Sequence, residues 1–195
     1  MLFIFDLDGT TIDSSHRQNT LPDGSLNLDA WVRNNTPEKI ARDSLLPMAE
    51  SWKTINRQNH QIVIMTARVI GKADLKFLAD NGLGYDRIYS RAFGDTTPDD
   101  ILKKRMISKL AVDFRRSLAW LRSNAYMFDD NKSVRQCLTR IGINCYNPTN
   151  YNEELKCLNL HTRQILLMVR HLTISALTIS GNYTDSANMF PLSAI

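Results

Sequence analysis

Two aspartates one residue apart, Asp6 and Asp8, close the apolar run Leu2-Phe3-Ile4-Phe5 and lead into Gly9-Thr10-Thr11. On a strand, residues i and i+2 point the same way and lie about 7 Å apart. That gap admits a phosphoryl group between an attacking carboxylate, Asp6, and a second acid, Asp8, that protonates the departing oxygen and then activates water. Gly9 permits a sharp turn around the phosphate, and the Thr10 hydroxyl with nearby amides can hold its oxygens. Asp-x-Asp-Gly also opens calcium loops and ordinary turns, but an EF-hand needs Glu six residues after the glycine, where this chain has Ser15.

Further along, Ile64-Met65-Thr66-Ala67-Arg68 is an apolar run that ends in a hydroxyl and a cation. Thr66 can donate to a phosphoryl oxygen and Arg68 can clamp a phosphate bidentately; a helix cap is the plainer use of such a threonine. Tyr126-Met127-Phe128 closes on the adjacent acids Asp129 and Asp130. Paired carboxylates at a buried strand end are costly unless they bind a metal or meet a cation, and with Asp6, and Asp8 beside it, they form an oxygen-ligand set of the kind Mg2+ prefers. A helix cap accounts for one of them but not readily for both. The cation that would let phosphate approach Asp6 is Lys103, four residues after Asp99, so that on a helix Asp99 can orient its ammonium; the same spacing also makes ordinary solvated pairs.

These residues must be positioned by elements, and five short runs read as buried parallel strands: Leu2 to Asp6, Ile62 to Thr66, Arg87 to Ser90, Tyr126 to Asp129 and Asn144 to Tyr146. Helical periodicity fills the intervals. One helix is expected from Thr36 to about Asn59, another over Ala73 to Asn81, two between Pro98 and Arg122, and one over Ser133 to Arg140. Alternating strand and helix signals predict a three-layer α/β fold, Rossmann-like, with a central parallel sheet between helices and its chemistry at the carboxyl ends of the strands. Ser14 to Asn35, rich in Asn, Asp, Ser and Gly, breaks the rhythm and reads as a small cap insertion. The expected organisation is a core over 1–150 with its cap at about 14–35, and a helical tail over 151–195. Leu158, Ile165, Val169, Leu172 and Ala176 recur at helical spacing in that tail, which would pack on the core or build a homo-oligomer.

With 195 residues, 43% apolar and 23% charged, the chain can bury one sizeable core, which excludes a disordered chain. Cys137, Cys145 and Cys157 have neither zinc spacing nor a disulfide framework and are expected as reduced core residues. The N-terminus lacks a secretory pattern, and Arg163, Arg170 and His171 interrupt the apolar stretch from Leu158 to Ile179, so a cytoplasmic protein without a membrane span is expected. A net charge of +4 fits handling of phosphates or nucleic acid without requiring it.

The order DxDGT, Thr, Lys, DD at successive strand ends resembles the haloacid dehalogenase superfamily of phosphotransferases over roughly residues 1–147. Within it, the finer pattern is similar to the 3'-phosphatase domain of bacteriophage polynucleotide kinase/phosphatase. The matching residues are Arg17, Arg68, the run Arg91, Gly94, Asp95, Asp99, Asp100 and Lys103, and Arg140-Ile141-Gly142-Ile143-Asn144-Cys145 after Asp129 and Asp130. The resemblance implies Asp6 as nucleophile, Asp8 as general acid and base, Lys103 and Arg17 as contacts to the phosphoryl oxygens, magnesium as cofactor, and the host cytoplasm as location if the gene is a phage's. Asn131 stands where that family has Arg, and no GxxxxGK[ST] loop occurs, so a free-standing phosphatase is expected, working beside a separate repair enzyme. Arg17, Arg68 and Arg91 exceed what one phosphate needs, which predicts a 3'-phosphorylated nucleic-acid end as substrate; free nucleoside monophosphates are the alternative. A binding module without turnover is disfavoured because both Asp6 and Asp8 are present.

Overall fold

The computed structural model describes residues 1–23 and 27–156, so the tail helix expected from Leu158 onward and Cys157 lie outside the described residues. In chain order the elements are β1 (Leu2–Phe5), β2 (Ile12–Asp13), a 3-10 turn (Ser15–Arg17), α1 (Leu28–Arg33), α2 (Pro37–Ile40), β3 (Ser44–Leu45), α3 (Pro47–Thr54), β4 (Gln61–Thr66), α4 (Lys72–Asp80), β5 (Arg87–Ser90), α5 (Asp99–Asp113), α6 (Leu118–Asn124), β6 (Ala125–Phe128), α7 (Lys132–Arg140), β7 (Asn144–Tyr146) and α8 (Thr149–Lys156). Five strands form a parallel sheet in the order β5-β4-β1-β6-β7, which puts β1 at its centre and aligns Phe5 with Ile64 and Phe128.

Strand alternation assigns each side chain to one of two cores. Leu2, Ile4, Val63, Met65, Ala125 and Met127 meet an aliphatic layer supplied by α5, α6 and α7. Phe5, Ile62, Ile64 and Phe128 face the opposite layer, where Phe5 stacks on Trp52 at 5.0 Å and on Phe128 at 5.1 Å between ring centroids. With both faces covered, the acids that follow β1 and β6 are left no exit except the carboxyl edge of the sheet.

Four expectations change. The helix from Thr36 to Asn59 is broken: Pro47 starts α3, and Ser44–Leu45 pairs antiparallel with Ile12–Asp13 instead. Proline cannot donate to residue i−4 and its ring clashes with that carbonyl, so helical spacing did not carry across it. The two-stranded ribbon formed by β2 and β3 encloses residues 14–43, so the insertion reaches past Asn35 to Asp43. The cysteines Cys137 and Cys145 are free but half-buried rather than core. Finally, α8 straddles residue 150 and buries Tyr151 and Leu155 in the aromatic layer, so the core continues into the segment read as tail. Among the described residues no helix is long and apolar enough to cross a membrane.

Candidate active site

The loop after β1 wraps around one carbonyl: the amides of Thr10, Thr11 and Ile12 all donate to Leu7 O, at 3.3, 2.9 and 2.8 Å. Thr11 Oγ1 donates to Asp6 O at 2.9 Å, and the Asp6 amide donates to Phe128 O at 3.0 Å, so the loop hangs from both β1 and β6. Gly9 adopts φ +71°, and an added Cβ would overlap the Asp130 carboxylate. Left-handed backbone and close approach both demand glycine here. Thr10 Oγ1 accepts from the Asp130 amide at 3.1 Å, fastening the β1 loop to the β6 loop.

Lys103, buried on α5, reaches between the two loops: its Nζ lies 2.7 Å from Asp129 Oδ2 and 3.0 Å from Asp6 Oδ1. Burial by itself would depress the Lys103 pKa, but the two carboxylates hold its ammonium above the ordinary lysine range. Asp99 does not orient it, because Asp99 accepts from Arg91 Nη2 at 2.6 Å. Burial raises the pKa of Asp6 well above that of an ordinary carboxyl, Lys103 pulls it back, and Asp129, Asp130 and Asp8 raise it further. Partial desolvation and the Asp129 charge push Asp130 up to about 6, although the residue still opens to solvent.

The fit of this site to a divalent cation rests on its donors. Asp6, Asp129 and Asp130 each present an oxygen within 4.8 Å of the others. Asp6 Oδ1 is buried and accepts no hydrogen bond; Lys103 Nζ is near enough for an ion pair but is not aligned as a donor. One ammonium against three carboxylates leaves two negative charges, and an all-oxygen set of that charge suits a hard cation. Asp8, expected among the ligands, stands outside this group of three. Its carboxylate instead accepts from Arg68 Nε at 3.0 Å, from Arg68 Nη2, and from Ser14 Oγ at 2.5 Å. Burial would raise the Asp8 pKa, but the Arg68 charge and the hydrogen bonds from Arg68 and Ser14 bring it below the ordinary value.

The three arginines are all engaged within the protein. Arg17 is buried and forms a fork with Asp43, Nε to Oδ1 at 2.8 Å and Nη2 to Oδ2 at 2.9 Å, donates Nη1 to Asn35 Oδ1 at 3.2 Å, and stacks 4.2 Å over Trp31. Arg68 joins Asp8 to Asp74 at 2.8 Å and to Asp43 at 3.4 Å. Arg91 donates to Ala67 O, Asp95 O, Thr97 O and Asp99 at 2.6 to 2.9 Å, pinning the loop that follows β5. Thr66 caps no helix, since Gly71 precedes α4; its hydroxyl accepts from the Arg68 amide at 3.1 Å in the turn that leaves β4, and the residue is buried.

Sequence reasoning missed three residues. Asp43 ties Arg17 in the insertion to Arg68 in the core, and Asp74 holds Arg68 from the first turn of α4. Asn152 on α8 donates to Thr10 O at 3.0 Å and accepts from the Met48 amide at 2.8 Å. None lies in a motif, and their sequence neighbours, Arg42 and Ser44, Ala73 and Leu75, and Tyr151 and Glu153, share no pattern that could have signalled them. Asn131, which stands where the resembled family has Arg, caps α7, and one turn later Arg135 donates to Asp129 O at 2.7 Å.

A five-stranded parallel sheet between two helical layers is a fold this chain shares with haloacid dehalogenase-like hydrolases. The fold aligns with a haloacid dehalogenase-like hydrolase from Streptococcus pneumoniae at TM-score 0.54 and 13% identity, over 74% of this chain and 82% of that one. It also aligns with a chain of the Pnkp1/Rnl/Hen1 complex at TM-score 0.51 and 22% identity, over 75% of this chain and 45% of the other. The sequence profile of the bacteriophage T5 5'-deoxynucleotidase family matches residues 1–171, and the chain belongs to that family. The 5'-deoxynucleotidase of Escherichia phage T5 is 37% identical over 86 residues, 42% of this chain; the match spans about a third, 35%, of that relative's length.

Proposed function

We propose that this chain is a phosphomonoesterase that removes the phosphate of deoxynucleoside 5'-monophosphates through an aspartyl-phosphate on Asp6. The observation that carries the chemistry is Lys103 buried between Asp6 and Asp129 beside an Asp6 oxygen that accepts no hydrogen bond. Asp6 attacks phosphorus in line, the P–O bond to the sugar breaks, and Asp8 supplies the proton to the departing hydroxyl. Water then attacks the aspartyl-phosphate with Asp8 as base, which returns Asp6 and releases inorganic phosphate. Lys103 partly offsets the rise that burial imposes on the Asp6 pKa and lies against the growing charge on the phosphoryl oxygens. Asp6, Asp129 and Asp130 are the residues that would hold Mg2+, which supplies charge neutralisation to the phosphoryl group when bound. With Asp8 held ionised by Arg68 and Ser14, the resting state suits the second step; donation in the first requires Asp8 to take up a proton from solvent as the substrate's negative charge arrives.

For the substrate, two observations favour a free nucleotide over a nucleic-acid end. The chain belongs to the 5'-deoxynucleotidase family. The side chains of Arg17, Arg68 and Arg91, which argued for flanking phosphates, spend their donors on Asp43, Asp8, Asp74, Asp99 and backbone carbonyls. Assaying a deoxynucleoside 5'-monophosphate, a 3'-monophosphate, and 3'- and 5'-phosphorylated oligonucleotides, each with and without magnesium, tests the proposal. The 5'-mononucleotide should be turned over with the highest kcat/KM, and only with magnesium. A preference for the 3'-phosphorylated oligonucleotide that weakens as salt rises would return the assignment to a polynucleotide 3'-phosphatase.

A further inference from the structure

Phe93 is 87% exposed, and among the described residues it is the one large aromatic side chain left in solvent. Its backbone is fastened. The Asp95 amide donates to Ala92 O at 3.1 Å and Gly94 has φ +80°, which makes Ala92–Asp95 a turn of the type II form with Phe93 at its first corner. Asp95 Oδ1 accepts from the Thr97 amide at 2.8 Å, and Arg91 ties the turn to Asp95 O, Thr97 O and Asp99. An apolar ring held out on a rigid turn gains nothing for the fold, since it buries no surface.

The turn also sits on the rim of the site. It follows β5 at the carboxyl edge of the sheet. At its start Arg91 donates through Nε to Ala67 O at 2.9 Å and through its amide to Arg68 O at 3.2 Å, inside the segment that carries Thr66 and Arg68. At its end Asp99 opens α5, and one turn further Lys103 enters the site. Phe93 is two residues from Arg91, so their Cα atoms are at most about 7 Å apart.

We propose that Phe93 is the platform on which the nucleobase of the substrate stacks while the phosphate lies at Asp6. A base has a π-face whatever its identity, so one phenyl ring recognises the class of nucleotides without selecting among them. The inference rests on the nucleotide reading of the site, and its test separates the two. Wild type, Phe93→Ala and Phe93→Trp are assayed with a deoxynucleoside 5'-monophosphate and with deoxyribose 5-phosphate, which has no base. Phe93→Ala should lower the ratio of the two kcat/KM values about tenfold, chiefly through KM for the nucleotide, and Phe93→Trp should preserve it. A ratio unmoved by Phe93→Ala overturns the stacking role while leaving the phosphatase reading intact. Should wild type hydrolyse neither compound, the phosphatase reading falls and binding alone decides. In an Asp6→Asn background, the fluorescence that Phe93→Trp adds should be quenched by the nucleotide and not by the sugar phosphate. Equal response to both overturns the proposal.

Discussion

Replacing Asp43 by alanine would strip the counter-charge from a buried arginine. Arg17 makes a bidentate pair with Asp43 at 2.8 and 2.9 Å, both side chains are fully buried, and the remaining partners of Arg17 are Asn35 at 3.2 Å and the Trp31 ring at 4.2 Å. Removing one member of such a pair costs about 3–5 kcal/mol, because the other charge stays desolvated and unpaired. In a chain of this size 1 kcal/mol moves the melting temperature by about 2–4 °C, so Asp43→Ala should melt about 6–20 °C lower. Arg17→Met combined with Asp43→Ala removes both charges and should recover most of that loss, whereas Arg68 keeps Asp8 and Asp74 in either variant. Thermal melts followed by circular dichroism on wild type, the two single variants and the pair form the cycle. A loss for Asp43→Ala below about 1 kcal/mol, the value of a solvent-exposed pair, would refute the view that this network fastens the insertion to the core.

Gly9→Ala should abolish phosphate release, since φ +71° and the contact with Asp130 each oppose a side chain; the left-handed backbone alone costs about 1–2 kcal/mol, and a variant with wild-type kcat would show that the loop is free to rearrange. In metal-free protein Asp130, pushed up to about 6, binds its proton more tightly when folded than the ordinary carboxyl of the unfolded chain at about 4. Its contribution to stability is therefore full below about pH 4 and is lost as pH rises to about 6, so melting temperature should fall across that window less in Asp130→Asn than in wild type; matching slopes would contradict this. Asn152→Leu leaves Thr10 O and the Met48 amide without their partner and should cost about 1–3 kcal/mol per buried group, read by urea unfolding, with kcat falling as the Thr10 loop loosens. An Asn152→Leu protein as stable and active as wild type would remove α8 from the support of the site.

The strands and the acids at their ends were legible in the sequence because both depend on local pattern. A run such as Leu2 to Phe5, apolar on both faces, can only be a strand covered on two sides, and the carboxylates Asp6, Asp129 and Asp130 that terminate such runs share one edge of any parallel sheet. Lys103 was within reach for the same reason, as a cation one helical turn into the segment that follows β5. What the sequence left open is which partner each charge takes. Asp99 and Lys103 have the spacing of a pair, yet Lys103 turns to Asp6 and Asp129 while Asp99 turns to Arg91. Arg17 and Arg68 read as phosphate contacts until Asp43 and Asp74 were brought beside them, across 26 residues in one case and 6 in the other. Burial makes such pairing compulsory, because a desolvated charge must find an opposite one, but the choice among candidates depends on distances that only the packed chain defines. The pairing of Ser44–Leu45 with Ile12–Asp13 and the anchoring of Thr10 by Asn152, 142 residues away, were decided in the same way, by contacts that exist only once the layers have closed.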